Sequence, residues 1–141
     1  MRGTESARSM LSGPQQQLYG RLIRALPGHV ILAQVALARL VATDHCAATG
    51  HHAAQRPPLV ADFVVCRPDF TPVAVVECDE GGMPGDAQRE LRRRKDLLLQ
   101  AAGIKVIHVA AVDLPRESAL RALIAEPARN APPAPLMRQA S

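Results

Sequence analysis

Two kinds of apolar spacing alternate along the chain. In residues 15–26, Leu18, Leu22, Ile23 and Leu26 recur at the interval that lines one face of a helix. Pro14 suits the first turn of that helix, and Pro27-Gly28 ends it. HVILAQV (29–35) predicts a strand, and LARLVA after it a short helix. TDHCAATGHHAAQRPP (43–58) has no period and reads as a loop. VADFVVC (60–66) and VAVVECD (73–79) are rich in β-branched residues, and the turn chemistry of RPDFTP between them predicts a hairpin. GGMPGD (81–86) is a flexible loop. Gly81 and Gly82 read as turn residues rather than a phosphate cradle, because no helix begins directly after them. A helix is expected from Asp86, as cap, to Ala102, with Gly103 just past its end. KVIHVA (105–110) predicts a strand, and DLPRESALRALIAE a last helix with Asp113 as its cap.

The order helix, strand, strand, strand, helix, strand, helix describes an α/β domain. A small sheet of about four strands is flanked by helices. Residues 1–10 read as a flexible N-terminus, 11–125 as the domain, and 126–141 as a disordered Pro- and Ala-rich tail. A chain of 141 residues holds one modest core. Tyr19, Phe63 and Phe70 are the only aromatic residues, so Ala, Val and Leu do the packing.

Charge adds a partner class. The net charge is +4 and the pI about 9.5, which favours an acidic partner. No apolar run reaches 18 residues, so no membrane span is expected. The start, MRGTESARSML, lacks the apolar centre of a signal peptide. Cys46, Cys66 and Cys78 are odd in number and show no CxxC pair, which reads as reduced thiols in a cytoplasmic protein.

The chemistry gathers at the end of VAVVECDE (73–80). Side chains alternate across a strand, so Glu77 and Asp79 share a face with Val73 and Val75. Asp62 shares a face with Val60 and Val64, and one hairpin register sets it beside Glu77 and Asp79. Three such carboxylates repel unless one takes up a proton. A divalent cation removes the conflict, and oxygen-only ligands suit Mg²⁺ or Mn²⁺. The competing reading is a strand edge that ends in solvated acids. In the basic run RELRRRKD (89–96), Leu91, Lys95, Leu98 and Ala102 form the inward helix stripe, from which Lys95 would reach the carboxylates. Arg89, Arg92 and Arg93, with Arg94 in the same run, would contact a nucleic-acid backbone; otherwise they form a solvated face. His45, Cys46, His51 and His52 match no standard zinc spacing. Cys78 lies on the face opposite the acids and reads as a small buried hydrophobe, not a nucleophile.

These residues resemble the restriction-endonuclease-like, or PD-(D/E)xK, superfamily. The closest likeness is to a bacterial family of unknown function related to the very-short-patch-repair endonuclease branch. LSGPQQQLYGRL, ILAQVALARLV, ADFVVCRPDFTPVAVVECDE and KDLLLQAAGIKVIHV carry it, over about residues 11–112. The resemblance implies an αβββαβ core, with Asp62 as the first acid and Glu77 as the second. It implies Mg²⁺ (or Mn²⁺) held by Asp62, Glu77 and Asp79, and hydrolysis of a nucleic-acid phosphodiester. The sequence departs from the pattern at four places: Gln15 stands where the first helix usually has Glu, Met83 where a His follows the strand, His108 where the last core strand ends in Arg, and Asp79 at the superfamily's Lys position. Lys95 on the following helix is the expected substitute for that Lys. The alternative is a non-catalytic nucleic-acid-binding or protein-interaction module of the same fold.

Overall fold

The structure is a computed structural model, and it describes residues 3–42, 58–82 and 85–125. Four expectations lie wholly or almost wholly outside the described residues: the loop of 43–58, the tail beyond 126, the His45/Cys46/His51/His52 group, and Met83.

Helix α1 spans Gly13–Ala25. Ser12 starts it with a capping box: the Ser12 hydroxyl accepts from the Gln15 amide at 3.3 Å, and Gln15 Oε1 accepts from the Ser12 amide at 3.0 Å. Two otherwise unpaired backbone donors are satisfied in this way. The helix buries Leu18, Leu22 and Ala25, whereas Ile23 is exposed. Strand β1 follows at Val30–Ala36. The short helix expected after it is a single 3-10 turn, Leu37–Arg39. Strands β2 (Val60–Cys66) and β3 (Pro72–Asp79) form the expected hairpin.

Helix α2 spans Asp86–Ala101 and is capped by Gly85, so Asp86 is its first residue and not its cap. It ends at Gly103, whose φ of +77° lies in the left-handed region. The Ile104 amide there returns to Leu99 O at 2.9 Å. Strand β4 is Lys105–Ala110 and helix α3 is Glu117–Ala125. Asp113 does not cap α3. It closes a 3-10 turn, Ala111–Asp113, and Leu114 is extended (φ −67°, ψ 133°). Pro115 imposes that conformation on the residue before it, which delays the helix.

The elements form a four-stranded sheet in the order β1-β2-β3-β4. β1, β2 and β3 are antiparallel neighbours, and β3 and β4 are parallel with α2 as the connection. The sheet divides two cores. On one face α1 and α3 cover Phe63, Val65, Val76, Ile107 and Val109, with Leu18, Leu22 and Leu120 between the layers. On the other, α2 covers Val64, Val75 and Ile104 through Leu98 and Leu99. Leu99, not Ala102, is the deeply buried residue of α2, and Ala102 is exposed at the helix end. Val73 was expected on the face of Glu77 but packs against the α1/α3 core. The pairing slips between Val65 and Cys66, so Cys66 meets Pro72 and Val73 falls out of alternation.

Candidate functional site

The site lies on the α2 face, where the hairpin strands reach their open ends. The last regular backbone pair there is Phe63 with Val76. Beyond it two carboxylates replace the ladder. The Asp62 amide donates to Glu77 Oε2 at 3.1 Å, and the Cys78 amide donates to Asp62 Oδ2 at 2.9 Å. Each acid therefore holds the opposite strand by its backbone, which fixes the two side chains beside each other. Each keeps a second oxygen.

Glu77 is only 3% exposed and is the one buried charged or polar residue among the described residues. Burial raises its carboxyl above the usual carboxylate range, and the neighbouring charge of Asp62 adds to the rise. Lys95 opposes both. Its Nζ stands 2.7 Å from Glu77 Oε1 and donates to Val60 O at 3.0 Å. At that distance the ammonium and the carboxylate form a close ion pair.

Asp79 shares the face but turns elsewhere. Arg92 Nη2 meets its Oδ1 at 2.9 Å, and His108 Nδ1 lies 3.9 Å from its Oδ2. The parallel register sets His108 directly opposite Glu77. Its Nε2 is 2.9 Å from Asp96 Oδ2, so the imidazole stands between two carboxylates. Asp96 Oδ1 is buried without a hydrogen-bond partner. Asp62, Glu77, Asp79, Arg92, Lys95 and His108, with Leu59, Val60, Gln88 and Leu91, line a cavity of about 400 Å³.

Helix geometry explains the assembly. Gln88, Leu91, Arg92 and Lys95 recur at the interval of one helix face, so α2 presents them together to the strand ends. The other arginines of the run are placed differently. Arg89 is exposed and pairs with Asp86 at 2.7 Å. Arg93 is exposed and Arg94 half-buried. Arg92, expected to meet nucleic acid, is engaged by Asp79.

Asp62, Glu77 and Lys95 are thus brought into one site, with Asp79 at its rim. Asp96 and Gln88 are additions that sequence reasoning missed, and His108, read in the sequence only as a departure from the resembled pattern, joins them. The parallel pairing of β3 with β4 sets His108 in place, and no local pattern encodes it. Gln15 serves the helix cap.

Asp62 and Glu77 are the two carboxylates that would hold a small divalent cation. Among the described residues no three His, Cys, Asp or Glu side chains are grouped to hold an ion by themselves. Mg²⁺ needs no such cage, since one or two carboxylates with water and phosphate oxygens suffice. Opposite the acids, Cys78 is buried and its thiol is pushed up to about 11, first by burial and then by the charges of Glu80, Asp62 and Asp79. That suits the apolar role expected for it. Among the described residues no helix is long and apolar enough to cross a membrane.

A family model described as "Protein of unknown function (DUF2726)" matches residues 7–127, and the chain belongs to that family. No curated protein and no solved structure matches it.

Proposed function

We propose that this member of the DUF2726 family is a restriction-endonuclease-like domain whose acidic cleft hydrolyses a nucleic-acid phosphodiester with Mg²⁺ or Mn²⁺. One observation carries the reading: Lys95, reaching from α2, stands 2.7 Å from buried Glu77, next to Asp62. Two acids and a lysine at one strand end are the superfamily's working set. The lysine comes here from the helix, because Asp79 holds its strand position.

Asp62 and Glu77 would hold the cation, Asp62 through the oxygen its backbone bond leaves and Glu77 through a carboxylate it shares with Lys95. A cation so placed supplies activated water and neutralises charge on a phosphoryl oxygen. The protein's own groups do the rest. Lys95 places its ammonium beside the reacting phosphate, where negative charge develops. Arg92 reaches a phosphate by exchanging Asp79 for it, and the freed Asp79 orients water or adds a ligand. Arg93 and Arg94 extend the cationic surface along the strand. A cytoplasmic setting fits the free thiols of Cys66 and Cys78.

The test is cleavage of supercoiled, linear, single-stranded and RNA substrates with Mg²⁺ or Mn²⁺, with Asp62→Asn as control. Metal-dependent cleavage lost in Asp62→Asn supports the reading. Salt-sensitive nucleic-acid binding without cleavage would turn it to a non-catalytic binding module.

A further inference from the structure

We infer that the face opposite the acidic cleft carries a second, cationic cavity that takes a phosphate or diphosphate group. Helices α1 and α3 pack together on the sheet face away from α2. Arg21 of α1, with Arg116, Glu117, Ser118 and Arg121 around the start of α3, lines an open cavity of about 440 Å³.

Arg21 is held in place before any ligand arrives. It donates from Nη1 to Leu114 O at 2.8 Å and to Pro115 O at 3.0 Å. Both acceptors are neutral, so they orient the guanidinium without cancelling its charge. The single carboxylate on the cavity wall, Glu117, is engaged by Arg24 at 2.7 Å. Three guanidinium groups therefore share one cavity whose acid is already taken. Planar guanidinium forks match the oxygens of a phosphate and bind it through paired, charge-assisted hydrogen bonds. A multivalent oxyanion also relieves the repulsion among the three cations.

On the visible basic run Arg89 and Arg92 pair with Asp86 and Asp79, whereas here the one lining carboxylate is held by Arg24 from outside the cavity. The cavity's charge is also absent as a run in the sequence, since Arg21 and Arg116 meet only through the packing of α1 on α3. The inference is independent of the nuclease reading, because the cavity lies across the sheet from that cleft.

Calorimetric titration of the full chain with pyrophosphate, at ionic strength matched with chloride, tests it. Arg116→Gln and Arg121→Gln remove exposed guanidiniums without touching the core, and circular dichroism checks their folding. Arg67→Gln, on the β2–β3 turn, controls for net charge. Saturable binding is expected. Each cavity variant should weaken it about tenfold or more, as befits a lost charged hydrogen bond, while Arg67→Gln binds like the parent. A short single-stranded oligonucleotide is the second arm. If the same variants weaken it and pyrophosphate competes, the phosphate comes from a nucleic-acid backbone; if only pyrophosphate binds, it comes from a small phosphorylated molecule. Either supports the cavity. No saturable pyrophosphate binding, or binding that Arg116→Gln and Arg121→Gln leave intact, would overturn it.

Discussion

Replacing Lys95 by Met tests the centre of the cleft. Met keeps the length of the stem and removes the ammonium. The Lys95 side chain is 19% exposed and that of Glu77 5%, so water screens their pair weakly. Breaking a buried pair from one side leaves the other charge uncompensated, at about 3–5 kcal/mol. The bond to Val60 O is lost as well. A native domain has about 5–15 kcal/mol in total, so Lys95→Met should lower the melting temperature by roughly 10 °C. The loss should depend on pH. Burial and Asp62 already raise the Glu77 carboxyl, and Lys95 is the group holding it down. Without Lys95 the carboxyl rises further, so acidification from pH 7 protonates Glu77 and returns part of the lost stability. Lys95→Met combined with Glu77→Gln should recover much of the loss at neutral pH, because neither charge then remains. Urea unfolding of the four proteins at pH 5 and pH 7 gives the cycle. A penalty below about 1 kcal/mol, typical of a solvated pair, with no change between the two pH values, would refute a Lys95 directed into the cleft.

Glu77→Gln alone should make the variant lose more stability on acidification than the parent does. A carboxyl raised in the folded state binds its proton more tightly there, so its contribution is full at low pH and is lost as pH rises through the folded value; parent and variant should converge on acidification. If the parent loses stability relative to Glu77→Gln as pH falls from 7 to 5, the direction is wrong. Leu99→Ala should cost about 2–5 kcal/mol, since Leu99 is fully buried. Leu97→Ala, at an exposed position of the same helix, should stay within about 0.5 kcal/mol, and equal costs in denaturant melts would mean that α2 is rotated. Cys78, buried with its thiol pushed up to about 11, should resist iodoacetamide at pH 8 until the protein unfolds. Peptide mapping after a labelling time course reads this directly, and rapid native alkylation of Cys78 would contradict the packing.

What the sequence alone determined is whatever short-range spacing encodes. The β-branched runs at 60–66 and 73–79, the turn between them and the glycine after α2 specify a hairpin, a helix and a strand through contacts only a few residues apart. Asp62, Glu77 and Lys95 were also legible, because strand alternation and helix period are local rules and the hairpin joins its strands through one short turn. Errors arose where a neighbour changed a local rule. Pro115 delayed α3, and the slip at Cys66 moved Val73 to the other core. Tertiary structure alone decided which charges meet. The parallel pairing of β3 and β4 set His108 opposite Glu77, and the fit of α2 over the strand ends gave Arg92 to Asp79. The packing of α1 on α3 joined Arg21 to Arg116 and Arg121. Such partners lie far apart in the chain, and coulombic pairing depends on distance in space, which the order of residues does not contain.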